Sequence, residues 1–170
     1  MLKKEIKKLI NEQIQAELYS AYLYLDFSNY YYDKGLDGFG NWFMVQTQEE
    51  RDHALLFIKY MQNNGEKIEL EEIEKPKVKK EGIGEILNEQ LKHEKYVTSL
   101  INNLYDAAAK EKDYRTMQFL DWFIKEQGEE EMNAETMIRR FELFGDDKKA
   151  LYMLDNELAG RIYSAPSLVI

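Results

Sequence analysis

The chain repeats itself across polar positions that an ordinary core would not contain. Glu17 and Glu50 stand 33 residues apart, Glu94 and Gln127 stand 33 residues apart, and a shift of 77 carries the first pair onto the second. The same shift takes His53 to Glu130, and it turns Asn11-Glu12-Gln13-Ile14-Gln15-Ala16-Glu17 into Asn88-Glu89-Gln90-Leu91-Lys92-His93-Glu94. The chain is therefore an internal duplication. Around Glu50 the apolar spacing is that of a packed helix: Phe43, Gln46, Glu50, His53, Phe57 and Tyr60 follow one another at intervals of 3, 4, 3, 4 and 3. A carboxylate and an imidazole three residues apart thus share the face that should be dry. Ionisable groups in such positions need partners, because an unpaired buried charge neutralises itself or destabilises the fold.

Helix signals account for most of the chain. Nothing breaks a helix from Leu2 to Tyr32, and Gly35 follows as a stop. About 30 residues at ~1.5 Å each would span ~45 Å. Its inner stripe is read as Ile10, Glu17, Ala21, Tyr24 and Tyr31. A second helix runs from after Gly38 to about Asn64 and stops at Gly65, so the short link makes an antiparallel pair. Glu66 to Glu81 is charged, contains Pro76 and loses the helical period. A connection this long has one clear physical use, which is to carry the chain the full length of a bundle so that the third helix runs parallel to the second.

The third helix, about Ile83 to Glu111, and the fourth, about Tyr114 to Phe144, meet at Lys112-Asp113, with Asp113 as N-cap and Gly145 closing the fourth. The fourth carries the stripe Leu120, Phe123, Gln127, Glu130, Ala134, Met137 and Phe141. The expectation is an all-α fold in one domain, residues 1–170, with a four-helix bundle over about 2–144, one long crossover between helices two and three, a short fifth helix at about 147–159 and an extended tail at 160–170. The apolar end of that tail, Leu168-Val169-Ile170, points to packing or an interface.

Composition narrows the chemistry. The chain contains no cysteine, which removes thiolate nucleophiles and disulfides and leaves oxygen and nitrogen as metal ligands. With 32 acidic against 23 basic residues and a net charge of -9, it favours cations over nucleic acid or anionic membranes. No apolar run suits a membrane span and the first residues lack a signal-peptide pattern, so a cytoplasmic protein is expected.

Pairing the helices brings Glu17, Glu50 with His53, Glu94, and Gln127 with Glu130 to one height. That is a di-metal cage, with bridging carboxylates and one imidazole suited to iron, though zinc would compete on affinity. The halves are unequal. The second has Gln127-x-x-Glu130 where a symmetric site would have Glu-x-x-His, so its metal is expected to bind more weakly. Glu49, Glu126 and Glu129 lie beside the seam, where together with Glu130 they suit a third cation.

These residues resemble the bacterial non-haem ferritins over nearly the whole chain: Glu17 and Tyr24 on helix one, Glu50-x-x-His53, Glu94, and Trp122 ahead of Glu126-Gln127-Gly128-Glu129-Glu130. The resemblance implies a ferritin-like four-helix bundle and a ferroxidase centre at Glu17, Glu50, His53, Glu94, Gln127 and Glu130 that oxidises Fe(II) with O2. It also implies a third iron site at Glu49, Glu126, Glu129 and Glu130, Tyr24 as an electron donor, and a hollow 24-subunit homo-oligomeric shell storing ferric mineral, with hydrogen peroxide as a second oxidant to consider. Bacterioferritins are similar but carry a second His at the place of Glu130 and a haem-ligating Met after the helix-two Glu. Here that residue is Arg51, and no haem is expected. Rubrerythrins share the bundle but add a cysteine-ligated iron domain.

Plainer readings stand beside these. A lone Glu-x-x-His is common on helices, His53 taken singly is a satisfied core histidine, and Tyr24 taken singly is a core aromatic. Glu129 to Glu131 reads by default as a solvated face, to which Glu131 is assigned. Tyr30, Tyr31 and Tyr32 are assigned to packing or subunit contact, and His93 to the surface. Two other functions fit the bundle: a non-storing di-iron oxidase or peroxidase of the rubrerythrin-like class, and an interaction protein whose polar seam fixes register.

Overall fold

The computed structural model describes residues 2–79 and 81–170; Met1 and Lys80, which fall within the expected domain and crossover, lie outside the described residues. Five helices follow in order: α1 Lys4–Asp33, α2 Asp37–Asn63, α3 Ile83–Lys110, α4 Tyr114–Phe144 and α5 Lys148–Leu158. Among the described residues there is no strand. Cross-helix hydrogen bonds fix the directions. Ser28 donates to Gly40 while Gln15, earlier in α1, reaches Glu72 beyond the end of α2, so α1 and α2 are antiparallel. Tyr31 bonds Ile83 and Ser20 bonds His93, which sets α3 antiparallel to α1 and hence parallel to α2. The crossover, without regular structure, lies along α1, where Glu69 N donates to Asn11 Oδ1 at 3.0 Å.

The duplication extends to the turns. At the end of α1, Gly35 N donates to Tyr32 O and Leu36 N to Tyr31 O, both at 3.0 Å, with Gly35 at φ 72°. At the end of α3, 77 residues on, Lys112 N donates to Ala109 O and Asp113 N to Ala108 O, with Lys112 at φ 56°. Both are the double-bonded, left-handed helix stop, which glycine occupies freely and lysine at some cost. Asp113 then caps α4 by accepting from Thr116 N, as its sequence position predicts.

Two apolar cores divide the length of the bundle. One gathers Ile6, Ile10, Ile14, Phe57, Ile101 and Leu120, and the other Tyr24, Phe27, Tyr31, Phe43, Ile86 and Met137. Two readings of the stripes need correction. Gly38 lies inside the first turn of α2 and does not precede it, and Ala21 is only partly buried because it lines a surface groove with Leu18, Tyr22 and Leu25 on one side and Thr47 and Arg51 on the other. Tyr31 is buried and Tyr32 is 43 % exposed, so of the three consecutive tyrosines only the middle one is core. Residues 161–170 carry no regular secondary structure, and the end of this tail divides: Leu168 packs on the first core while Val169 is 92 % exposed.

The short α5 crosses the start of α2. Asp155 Oδ1 accepts from Phe39 N at 2.9 Å, which satisfies one of the free amide donors of a helix whose own N-cap, Leu36, has no side-chain bond to offer. This docking demands glycine at 38, since a Cβ there would meet the Asp155 carbonyl oxygen at 1.6 Å. Gly38→Ala is therefore expected to push α5 off α2 and destabilise the protein by about 1–3 kcal/mol, the usual cost of overpacking. A denaturation midpoint equal to wild type would show that α5 is not held this tightly.

Candidate metal centre

Each of the four long helices sends polar side chains into the layer between the two cores. Glu17 comes from α1, Glu50 and His53 from successive turns of α2, Glu94 from α3, and Gln127 and Glu130 from α4. All six are buried, none more than 4 % exposed, so their charges have no solvent to lean on. On the first side, His53 Nδ1 lies 3.4 Å from Glu50 Oε2 and 4.0 Å from Glu17 Oε2. Ligand atoms of Glu17, Glu50 and His53 fall within 4.8 Å of one another. Glu17 Oε2, Glu50 Oε1 and His53 Nδ1 are buried without any hydrogen-bond partner. Two carboxylate oxygens and an imidazole nitrogen left unsatisfied around one point fit a divalent cation that accepts mixed O and N ligation.

The second side is satisfied by neutral donors. Gln127 Nε2 is 3.3 Å from each of Glu94 O, Glu94 Oε2 and Thr98 Oγ1. The Tyr24 hydroxyl donates to Glu94 Oε1, and Gln46 Nε2 donates to Glu130 Oε2 at 2.9 Å. Of these donors only the Gln127 amide follows from glutamine standing in place of glutamate at 127.

Burial dominates the electrostatics. It pushes Glu17 from 4.5 up to about 8, aided by the Glu50 charge, and Glu130 up to about 8, aided by Glu94. Glu94 rises to about 7, again by burial, against the opposing hydrogen bonds from Tyr24 and Gln127. Burial likewise raises Glu50 well above the carboxylate range, and the charges of Glu94 and Glu130 add to it. Glu50 therefore feels acids of both sides, as a carboxylate placed to bridge two cations must. Burial also holds the Tyr24 phenol well above its ordinary value, so it stays protonated against Glu94.

The three acids expected beside this centre do not converge. Glu49 Oε2 is held at 2.6 Å by Arg161 Nη2 from the tail, and Glu129 pairs with Lys125 at 3.5 Å on the surface. Glu126 Oε1 lies 4.0 Å from His53 Nε2, the ring nitrogen other than the one that meets Glu17 and Glu50. His93, read as a surface residue, is in fact packed between helices: its Nε2 is 2.7 Å from Ser20 Oγ and its ring meets Tyr24 edge-on at 5.8 Å. The reason is that α3 turns this side of Glu94 toward α1 and not toward solvent. Arg51, exposed and paired with Asp52 at 2.9 Å, borders the α1–α2 groove.

Sequence reasoning missed the amides that hold the acids. Gln13 Nε2 donates to Glu17 Oε1 at 2.7 Å, and Gln46 does the same for Glu130. The signal was present, since Gln13, Gln46 and Gln90 each stand four residues before a centre glutamate, one helical turn away on the same face. Gln90 is fully buried and its amide has no protein partner. Arg161, a lone cation in an irregular tail, offered no such pattern.

Comparison with known proteins agrees with this geometry. The family model for the ferritin-like domain matches residues 7–144. A bacterial non-heme ferritin of Campylobacter jejuni is 36 % identical over 155 residues, 91 % of this chain and 93 % of the relative. Another, from Staphylococcus epidermidis, is 38 % identical over 164 residues, 96 % and 99 % of the two chains. Among solved structures, an open-pore ferritin from the hyperthermophilic archaeon Archaeoglobus fulgidus superposes with a TM-score of 0.92 at 38 % identity, covering 95 % of this chain and 98 % of that one. A humanized archaeal ferritin reaches 0.94 at 39 % identity, covering 96 % and 99 %. The similarity spans bundle, crossover and α5 alike, and the chain belongs to the ferritin family.

Proposed function

We propose that this chain is an iron-storage protein with ferroxidase activity, acting as one ferritin-like domain over its whole length in a cytoplasmic 24-subunit shell. The observation that carries the reading is the trio of orphaned ligand atoms on Glu17, Glu50 and His53 in the dry middle of the bundle. Iron is the substrate. Glu17, Glu50 and His53 take one Fe(II), and Glu50, Glu94, Gln127 and Glu130 take the second, more weakly because a neutral amide replaces a charge. Each Fe(II) gives one electron to O2, and hydrogen peroxide is the other oxidant this pair can serve. The flanking aromatic rings of Trp122 and Phe123, 5.5 and 5.9 Å from the His53 ring, exclude water from that side. Tyr24 is placed to give one further electron to the oxygen species that the two Fe(II) have reduced, with its phenolic proton passing to the Glu94 carboxylate that already accepts its hydrogen bond.

Ferric product leaves by the oxygen-rich side, where Glu49, Glu126, Glu129 and Glu130 are the third site, and deposits as mineral in the cavity. A non-storing oxidase of the rubrerythrin-like class is the second reading for the same centre, and the family membership favours storage. Among the described residues no helix is long and apolar enough to cross a membrane, in keeping with a partner set of Fe(II), O2 and further copies of the chain.

Aerobic addition of excess Fe(II) followed by desalting is expected to leave far more than three irons per chain in the assembly, whereas about two would identify the non-storing oxidase. Glu50→Ala, which removes the bridge, should slow Fe(II) oxidation by roughly a hundredfold, the scale of loss expected for an interaction of ~3 kcal/mol. Undiminished fast oxidation in that variant would remove Glu50 from the centre.

The raised carboxyls set a pH dependence. A group whose folded pKa exceeds its unfolded value stabilises the fold below the unfolded value, near 4.5, and loses that contribution as pH rises through the folded value. The metal-free protein is therefore expected to lose thermal stability between about pH 5 and about pH 8, and anaerobic Fe(II) loading near pH 6.5 should release roughly three to four protons per chain, from carboxyls that become ligands. Loading without proton release would mean that these acids are already ionised in the empty centre.

A further inference from the structure

Tyr24 is fully buried beside the centre, yet a line of ring contacts runs from it to the surface. Among the described residues three rings pack against it: Phe27 at 5.9 Å, Phe43 at 5.8 Å and His93, edge-on, at 5.8 Å. The two phenyl rings are dead ends for an electron. Phenylalanine is far harder to oxidise than tyrosine, and the tyrosine beyond Phe43 is Tyr31, fully buried with its hydroxyl donating to Ile83 O. A tyrosine gives up an electron at neutral pH only as its proton leaves, and a backbone carbonyl accepts a hydrogen bond without taking the proton.

The third ring leads outward. His93 meets Tyr19 at 5.7 Å and Tyr96 at 6.2 Å, and Tyr96 is 55 % exposed. Tyr19, His93 and Tyr96 line one surface hollow of about 240 Å³, bordered by Lys75 of the crossover. The imidazole is held in one orientation. Ser20 gives its single hydroxyl proton to Ala16 O at 3.0 Å, so its Oγ accepts from His93 Nε2–H at 2.7 Å.

We propose that His93 bridges an electron relay between this hollow and Tyr24, and that the hollow is where a water-soluble donor of one electron and one proton, such as ascorbate, resets the protein after turnover. The inference rests on the electron that Tyr24 gives in the reading above. That step leaves Tyr24 as a neutral tyrosyl radical and its proton on Glu94. Tyr96 or Tyr19 then passes one electron through the His93 ring to Tyr24, which takes its proton back from Glu94, while the proton of the donor phenol goes to water in the hollow. The reductant returns one electron and one proton to the surface radical and restores the phenol. His93 is the path and is not itself oxidised, because imidazole is a poorer electron donor than phenol. An oxidising equivalent is thereby moved from a dry core to a place that solvent species reach.

Freeze-quench electron paramagnetic resonance on the intact assembly, mixed with O2 and a Fe(II) load that fills only the centre, reads the relay apart from iron oxidation. Wild type should form a tyrosyl signal whose decay quickens with added ascorbate. Tyr19→Phe/Tyr96→Phe, which keeps the rings and removes the phenols, should form as much radical but lose it about tenfold more slowly and without response to ascorbate. His93→Gln, which keeps both phenols and an amide donor for Ser20, should behave like the double variant. Equal response to ascorbate in all three proteins, or none in any, overturns the relay while leaving Tyr24 as the donor. A response lost in the double variant but kept in His93→Gln overturns the bridge. A tyrosyl signal that is absent from wild type, or unaltered by Tyr24→Phe, overturns the Tyr24 step and the relay together.

Discussion

The desolvation of four carboxyls around one point is the constraint on which the rest of this molecule depends. Taking a single carboxylate out of water costs several kcal/mol, and Glu17, Glu50, Glu94 and Glu130 are all removed from it with only one histidine among them. Without a cation the centre answers in the one way open to it, by keeping protons: the carboxyls are raised by burial and by each other. A bound cation would replace those protons with charge of the right sign at the right place. Affinity for cations is thus stored in the apo fold as electrostatic cost, and the two apolar cores on either side supply the packing that tolerates it.

The partners of the carboxyls show how that cost is distributed. On the side of His53, ligand atoms stay unsatisfied and the site is poised for a charge. On the side of Gln127, amide and phenol donors already occupy the acids, so an arriving ion has to displace hydrogen bonds before it gains its own ligands. Further out, Glu49 is paired with the full positive charge of Arg161. The two sides therefore differ in degree: Glu17 keeps one oxygen free while the other accepts from Gln13, whereas Glu94 and Glu130 are engaged by Tyr24, Gln127 and Gln46.

Much of this was legible in the sequence because helices transmit spacing to geometry without loss. The interval of 3 from Glu50 to His53, the 33-residue reach between paired helices and the 77-residue repeat brought six residues to one buried layer, and the helix stops at Gly35 and Gly65 and the N-cap at Asp113 followed from local chemistry. What escaped has no period. The cap that Asp155 supplies to Phe39 joins residues 116 positions apart, and Arg161 meets Glu49 at a separation of 112. His93 was misplaced for a related reason: its neighbour Glu94 defines the inner face, but the surface presented beside it is fixed by how closely α1 lies, which spacing within α3 does not encode.

The departures from the repeat are more informative than the repeat itself. Two identical halves would build a symmetric cage whose two metals had equal ligands, equal affinity and no reason to move. Each break works against that. His53 answers to Glu130 and Glu50 to Gln127, which gives one position an imidazole and the other an amide. Gln46, which donates to Glu130, answers to Phe123, whose ring stacks on Phe57 at 4.3 Å and closes one side of His53 with carbon. The polar member of that pair thus serves the oxygen-rich position and the apolar member keeps the nitrogen-bearing one dry. Duplication supplies convergence at the bundle centre, and divergence between the halves makes its two sides chemically unequal.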